Sequence, residues 1–238
     1  MPVRLLGLPA IEAKLASPRL PEEHRAFARE VLTVQRSFIE SHMVHFSPLS
    51  VEVLPENDKT LSVYLGRSSG SALLGNMPAV NGIQGFYAAA SELSSNLMAH
   101  GGGGLLISGM EQVGRTGFFS LFSLDTGMGI DDFPLELSRS WDTHNFANAQ
   151  DNLMSSSSSP GHRIILAQGG FGTVNIVRPA DKVLVASRGK TWAKRYNTDD
   201  PEKRYWQINF SMVPLPGPSI VTQGTCIRLR WLIKDGNK

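Results

Sequence analysis

The sequence predicts an α+β fold, a two-layer sandwich in which a mixed, mostly antiparallel sheet carries helices on one face. Three observations support this. Segments of helical period and segments of alternating, β-branched character follow one another in the order helix, strand pair, helix, strands, polar segment, glycine turn, strands. The strand-like runs are short and bounded by Gly, Pro, Asn and Asp. The chain, at 238 residues and 41% hydrophobic content, is large enough to bury one substantial core.

The first element is a long amphipathic helix expected from Pro21 to about His45. Phe27, Val31, Val34 and Phe38 recur there every three or four residues, and Glu22 and Glu23 complement the N-terminal end of the helix dipole. LSVEVL and TLSVYLG, separated by PENDK, read as a hairpin. A second helix is expected from Gly82 to His100, with Phe86, Ala90, Leu93 and Leu97 as its apolar stripe and Gly101 to Gly104 as its terminator. LLISGM and GFFSLFSL follow as strands of a buried sheet, and the second runs into DTGMG. Residues 130–160 are polar and end in the serine run 155–159, the composition of a mobile loop. DKVLVASRGKTWAKRY, RYWQINFSMV and GTCIRLRWLI read as the closing strands.

Composition narrows the function classes. With 23 basic and 21 acidic residues the net charge is only +2, so no global field calls for nucleic acid or a membrane surface. A single cysteine, Cys226, cannot form an internal disulfide, and the first residues lack the long apolar core of a secretory signal. A cytoplasmic protein without a membrane span is therefore expected.

Four short segments carry candidate chemistry. Glu92 and Asn96, four residues apart, project from one helix face, with the small residues Gly85 and Ala89 on the same line. A carboxylate there can activate water, and an amide oxygen can ligate a hard cation such as Mg²⁺. Asp125 ends an apolar strand, and Gly127 and Gly129 behind it let a ligand approach the backbone. Its carboxylate only accepts hydrogen bonds, which suits an exocyclic amine. Gly169, Gly170, Gly172 and Thr173 form a glycine-rich turn whose backbone amides suit an anion. Gly224 and Thr225 open the last strand. Taken singly, these are also an ordinary exposed helix face, a tight turn, a loop and a strand entry.

In order, E-x-x-x-N, D-x-G-x-G, G-x-F-G and G-T before a strand resemble the motifs of the Bergerat, or GHKL, ATPase superfamily, over about Gly82 to Ile233. The resemblance implies ATP as ligand and Mg²⁺ as its ion. It implies that Asn96 holds the metal, Glu92 acts as general base, Asp125 and Thr225 serve the adenine side, and the glycine turn cradles phosphate. It also implies a domain over residues 49–238 with its lid at 130–168, preceded by an extension over 1–48. The strand pair between the glycine turn and Gly224 is similar to the gyrase B, heat-shock chaperone and mismatch-repair branch. NLMAHG is similar to the anti-sigma-factor kinases, related to the histidine kinases, which transfer phosphate to a partner. Val174 stands where the gyrase-like branch carries glycine, so nucleotide binding is the firmer expectation and turnover is expected to be slow.

Three further signals bear on metals and partners. His42 and His45 share a helix face, but no carboxylate or cysteine cluster accompanies them, so no metal site is read there. The segment 188–206 interleaves Arg188, Lys190, Lys194, Arg195, Lys203 and Arg204 with Trp192, Tyr196, Tyr205 and Trp206. That pattern fits single-stranded nucleic acid, a protein partner, or a solvated hairpin with aromatic cross-strand pairs. The N-terminal helix offers either a homodimer contact or a face that packs on the domain.

Overall fold

The computed structural model describes residues 5–55, 83–99, 101–137, 172–196 and 210–233. Helices α1 (Gly7–Leu15), α2 (Glu22–Val34) and α3 (Arg36–His42) precede strand β1 (Phe46–Pro55). Helix α4 (Ile83–Ala99) is followed by β2 (Gly103–Val113) and β3 (Thr116–Asp125). Next come α5 (Gly172–Val177), β4 (Lys182–Ser187), β5 (Lys190–Tyr196), β6 (Phe210–Pro214) and β7 (Thr225–Leu232).

The strands form one seven-stranded sheet in the order β1-β2-β3-β7-β4-β5-β6. All of its pairings are antiparallel, so the α+β class holds while the expected mixed sheet is, among the described residues, wholly antiparallel. The last strand in sequence, β7, lies at the centre of the sheet. The expected partner of the first strand, around residues 60–66, lies outside the described residues; among those described, β1 pairs with β2.

Helices cover both faces of the sheet, which corrects the expectation of one covered face. On one side Phe86, Leu93 and Leu97 of α4 pack with Leu106, Phe119, Leu121, Val185, Leu229 and Trp231. Phe86 meets Phe119 and Trp231 edge-on, with ring centres 5.1 and 5.3 Å apart. On the other side Ile11, Val31, Phe38 and Ile39 pack with Phe46, Ile107, Phe122, Leu124 and Cys226. The reason lies in β2 and β3, whose apolar residues fall at both odd and even positions. A strand of that composition is stable only when both its faces are covered. Residues 5–45 therefore form a layer of the same globule, where an extension was expected.

The single long helix expected up to His45 is two helices, α2 and α3, separated at Gln35. Ala28, Val31 and Leu32 are buried along α2, whereas Val34, expected in the apolar stripe, is 39% exposed. Helix α4 runs as the periodicity predicts, and Phe86, Ala90, Leu93 and Leu97 are all buried. No described helix is long and apolar enough to cross a membrane.

Candidate site at the ends of the central strands

At one end of the sheet, residues of five adjacent strands form a row on the α4 side. Gly104 of β2 pairs with Asp125 of β3, and Thr225 of β7 pairs with Ser187 of β4, which in turn faces Lys190 of β5. The row closes between β3 and β7 through the backbone N–H of Thr225, which donates to Asp125 Oδ1 at 3.0 Å. The same oxygen accepts the backbone N–H of Gly127 at 3.0 Å. Oδ1 is thus saturated, and among the described residues Oδ2 accepts no hydrogen bond. Burial raises the carboxyl pKa to about 6, against the lowering effect of the Gly127 and Thr225 amides.

Close backbone approaches account for the glycines around this carboxylate. Gly224 has φ +71°, and a Cβ there would collide with the Asp125 carbonyl, so the entry to β7 admits only glycine without strain. A Cβ on Gly127 would stand 2.8 Å from the Gly101 carbonyl oxygen, and one on Gly101 would stand 3.0 Å from Asp125 Cβ. The chain leaving α4 therefore presses directly on Asp125. Gly129 meets Ser187 Oγ in the same way, at 2.7 Å from an added Cβ.

Ser187 was not singled out from the sequence, yet it ties three parts of the site together. Its hydroxyl donates to the Gly224 carbonyl at 2.8 Å, accepts the Ile130 N–H at 2.7 Å and lies 3.1 Å from Thr225 Oγ1. Beyond it, Arg188 pairs with Asp131 at 3.0 Å, and Lys190 Nζ donates to the Asp131 carbonyl at 2.8 Å. These contacts root the segment that follows Gly129. That segment begins as a short helix, residues 133–137, whose Phe133 and Leu137 are buried in the α4-side core. Of the expected lid, residues 130–137 are described, with Phe133 and Leu137 buried and Asp131, Asp132, Leu135 and Glu136 exposed, and 138–168 lie outside the described residues.

Gln35 is a second residue that the sequence did not reveal. It is buried at the break between α2 and α3, on the opposite face, and its Nε2 donates to the carbonyls of Asp125 at 2.6 Å and of Gln223 at 2.8 Å. No sequence pattern marks such a glutamine, because it acts through main-chain carbonyls that any residue supplies.

The remaining candidates stand at different removes. Asn96 and Glu92 are half-buried on the last turns of α4, and the Asn96 carbonyl accepts the N–H of Gly101 at 3.1 Å. The Asn96 turn therefore leads straight to the glycine run beside Asp125. Gly172 and Thr173 open α5, which packs against α4, and Pro179 just beyond it abuts Gly85. Gly169 and Gly170 lie outside the described residues.

The basic, aromatic hairpin divides. Trp192 is buried in the α4-side core, 6.2 Å from the Phe133 ring, so it presents no stacking platform. Lys194 donates to the carbonyls of Val177, Arg178 and Ala180 at 3.0, 3.1 and 2.6 Å, closing the C-terminal end of α5, and lies over the Tyr196 and Phe210 rings. Lys203, Arg204, Tyr205 and Trp206 lie outside the described residues. His42 packs against Phe38 with its ring tilted by 55° and its pKa lowered by burial, and no group of metal-ligating side chains occurs among the described residues. No protein-family model matches the chain, and no curated protein matches it.

Proposed function

We propose that the chain is a Mg²⁺-dependent ATP-binding module of the Bergerat type, a slow ATPase at most, in which bound nucleotide changes the surface offered to a protein partner. The observation that carries this reading is the half-occupied carboxylate of Asp125. Two backbone amides fill Oδ1, and Oδ2 is left for one outside donor. That arrangement favours adenine, whose edge offers a single exocyclic amine. Guanine offers two adjacent N–H donors, which a carboxylate meets with both of its oxygens, and one of these is already taken.

Three features add support. Thr225 and Gly127, the first glycine of D-x-G-x-G, donate to the same carboxylate. Asn96 lies on the helix turn that leads into the glycines beside it. Glu92, one turn earlier, is the group assigned to activating water. Phosphotransfer to a partner is the alternative outcome of the same bound nucleotide.

Calorimetric titration with ATP and with a non-hydrolysable analogue, with and without Mg²⁺, tests the proposal. Binding is expected to the native chain, to vanish in Asp125→Asn, and in Asn96→Ala to lose its Mg²⁺ dependence. A folded native chain that takes up no adenine nucleotide in the presence of Mg²⁺ would refute it.

A further inference from the structure

We infer that Gln35 is a positioning residue for the Asp125 site, holding the two strand ends that carry Asp125 and Thr225 in register from the opposite side of the sheet. This rests on the nucleotide reading only for its effect on ligand affinity, not for its effect on geometry.

The two carbonyls that Gln35 binds belong to the segments that must meet for the site to exist. One is that of Asp125 itself, at the end of β3; the other is that of Gln223, immediately before Gly224 and Thr225. Neither carbonyl is held by the regular ladder between the two strands, which is recorded from Phe118 with Leu232 to Leu124 with Cys226 and stops just short of them. A single amide nitrogen with two hydrogens bridges the gap. A second link runs beside it, since Gln223 Nε2 donates to the Thr126 carbonyl at 3.1 Å, but that side chain is exposed whereas Gln35 is buried.

Helix geometry at this point supports a dedicated role. Glutamine is a good helix former, and VLTVQRSF contains neither Gly nor Pro, so nothing local requires α2 to stop at Val34. At the break Gln35 has φ −95° and ψ 13°, while its N–H still bonds to the Val31 carbonyl and its C=O accepts from Ile39. Helical spacing puts Gln35 on the same face as Ala28, Val31 and Leu32 before it and Phe38 and Ile39 after it, all of them buried. From that face both amide hydrogens of its buried side chain are spent on the site.

Amide hydrogen exchange on the ligand-free protein tests the geometry without any nucleotide. In Gln35→Met, which keeps the length of the side chain and removes both donors, the amides of Gly127 and Thr225 are expected to exchange about tenfold faster, the loss of roughly one net buried hydrogen bond. Those of Ile107 and Leu121 in the strand interiors are expected to be unchanged. Affinity for Mg²⁺-ATP is expected to fall by a similar factor. Gln35→Glu, nearly isosteric, serves where Gln35→Met does not fold, and its protonated form regains one donor, so local protection is expected to be restored at low pH. Uniform acceleration across the sheet, unchanged exchange at Gly127 and Thr225, or collapse of the fold in both variants would each overturn the inference. A native protein that ignores nucleotide while Gln35→Met still loosens those two amides would sink the nucleotide reading and leave this one standing.

Discussion

At the scale of single residues the molecule turns on Asp125. Its carboxyl titrates near 6 because burial disfavours the charged form, about two units above the ordinary carboxylate value of 3.8. Between those two values the folded chain binds more protons than the unfolded one, so stability falls as pH rises from about 4 to about 6 and is level above that. The cost of keeping the ionised group in place is on the order of 2–3 kcal/mol at neutral pH. In Asp125→Asn the amide oxygen still accepts from Gly127 and Thr225. Thermal melts should therefore show this variant at least as stable as the native chain at pH 7, with a flatter dependence on pH. A marked loss of stability at pH 7 would mean that the carboxylate is a structural anchor. The same titration governs the ligand: adenosine, which brings no phosphate of its own to titrate, should bind progressively more weakly below about pH 6 as Oδ2 acquires a proton and ceases to accept. An affinity flat from pH 5 to 8 would exclude Oδ2 as the acceptor.

At the scale of elements, the short helix α5 has only six residues and cannot stand on local propensity, since isolated helices of this length are unstable in water. Its C-terminal end is held by Lys194 from β5, whose ammonium binds three carbonyls. Lys194→Met keeps the stem and removes the donors, and chemical denaturation should show a loss of about 1–3 kcal/mol. A change under half a kilocalorie would mean that water replaces the ammonium without cost. Elements of this kind also mark how far the sequence could be read. Helix α4 was legible because its apolar positions repeat with one helical period, and strands β2 and β3 because each is a nearly continuous apolar run. Asp125, Gly127 and Thr225 stood out in the sequence as an acid and its neighbours at strand ends, and hydrogen bonds join them, whereas Gly129 stands against Ser187 and Gly224. The break at Gln35 was not legible, because it leaves the local helical pattern intact, and the carbonyls that Gln35 binds lie far away in the chain. Ser187 was hidden in the same way, as one small polar residue in an apolar strand. Trp192 was left open for the opposite reason: a basic, aromatic segment looks the same in sequence whether its rings point to solvent or into the core.

For the whole molecule, the decisive property is that the sheet is sandwiched. Ile11, Val31, Leu32, Phe38, Ile39 and Met43 are buried against the face opposite α4. At about 2 kcal/mol for each such side chain, their burial is on the order of 10 kcal/mol, as much as the whole net stability of an ordinary domain. Removal of residues 1–45 should therefore abolish the cooperative thermal transition and yield aggregate in size-exclusion chromatography, where an independent domain beginning near residue 49 would stay monomeric and melt normally. The central place of β7 carries a consequence for synthesis. Thr225 donates to a carboxylate a hundred residues earlier in the chain, and the strand that bears it fills the gap between β3 and β4. On the ribosome, β1 to β3 emerge long before the strand that completes them, and at five to twenty residues per second the open edge of β3 waits on the order of ten seconds. During that interval Phe122 and Leu124 lack their neighbours on β7, and Asp125 lacks the Thr225 amide. The nascent chain is then a template for mispairing, and a chaperone that shields the β3 edge would raise the yield of folded protein.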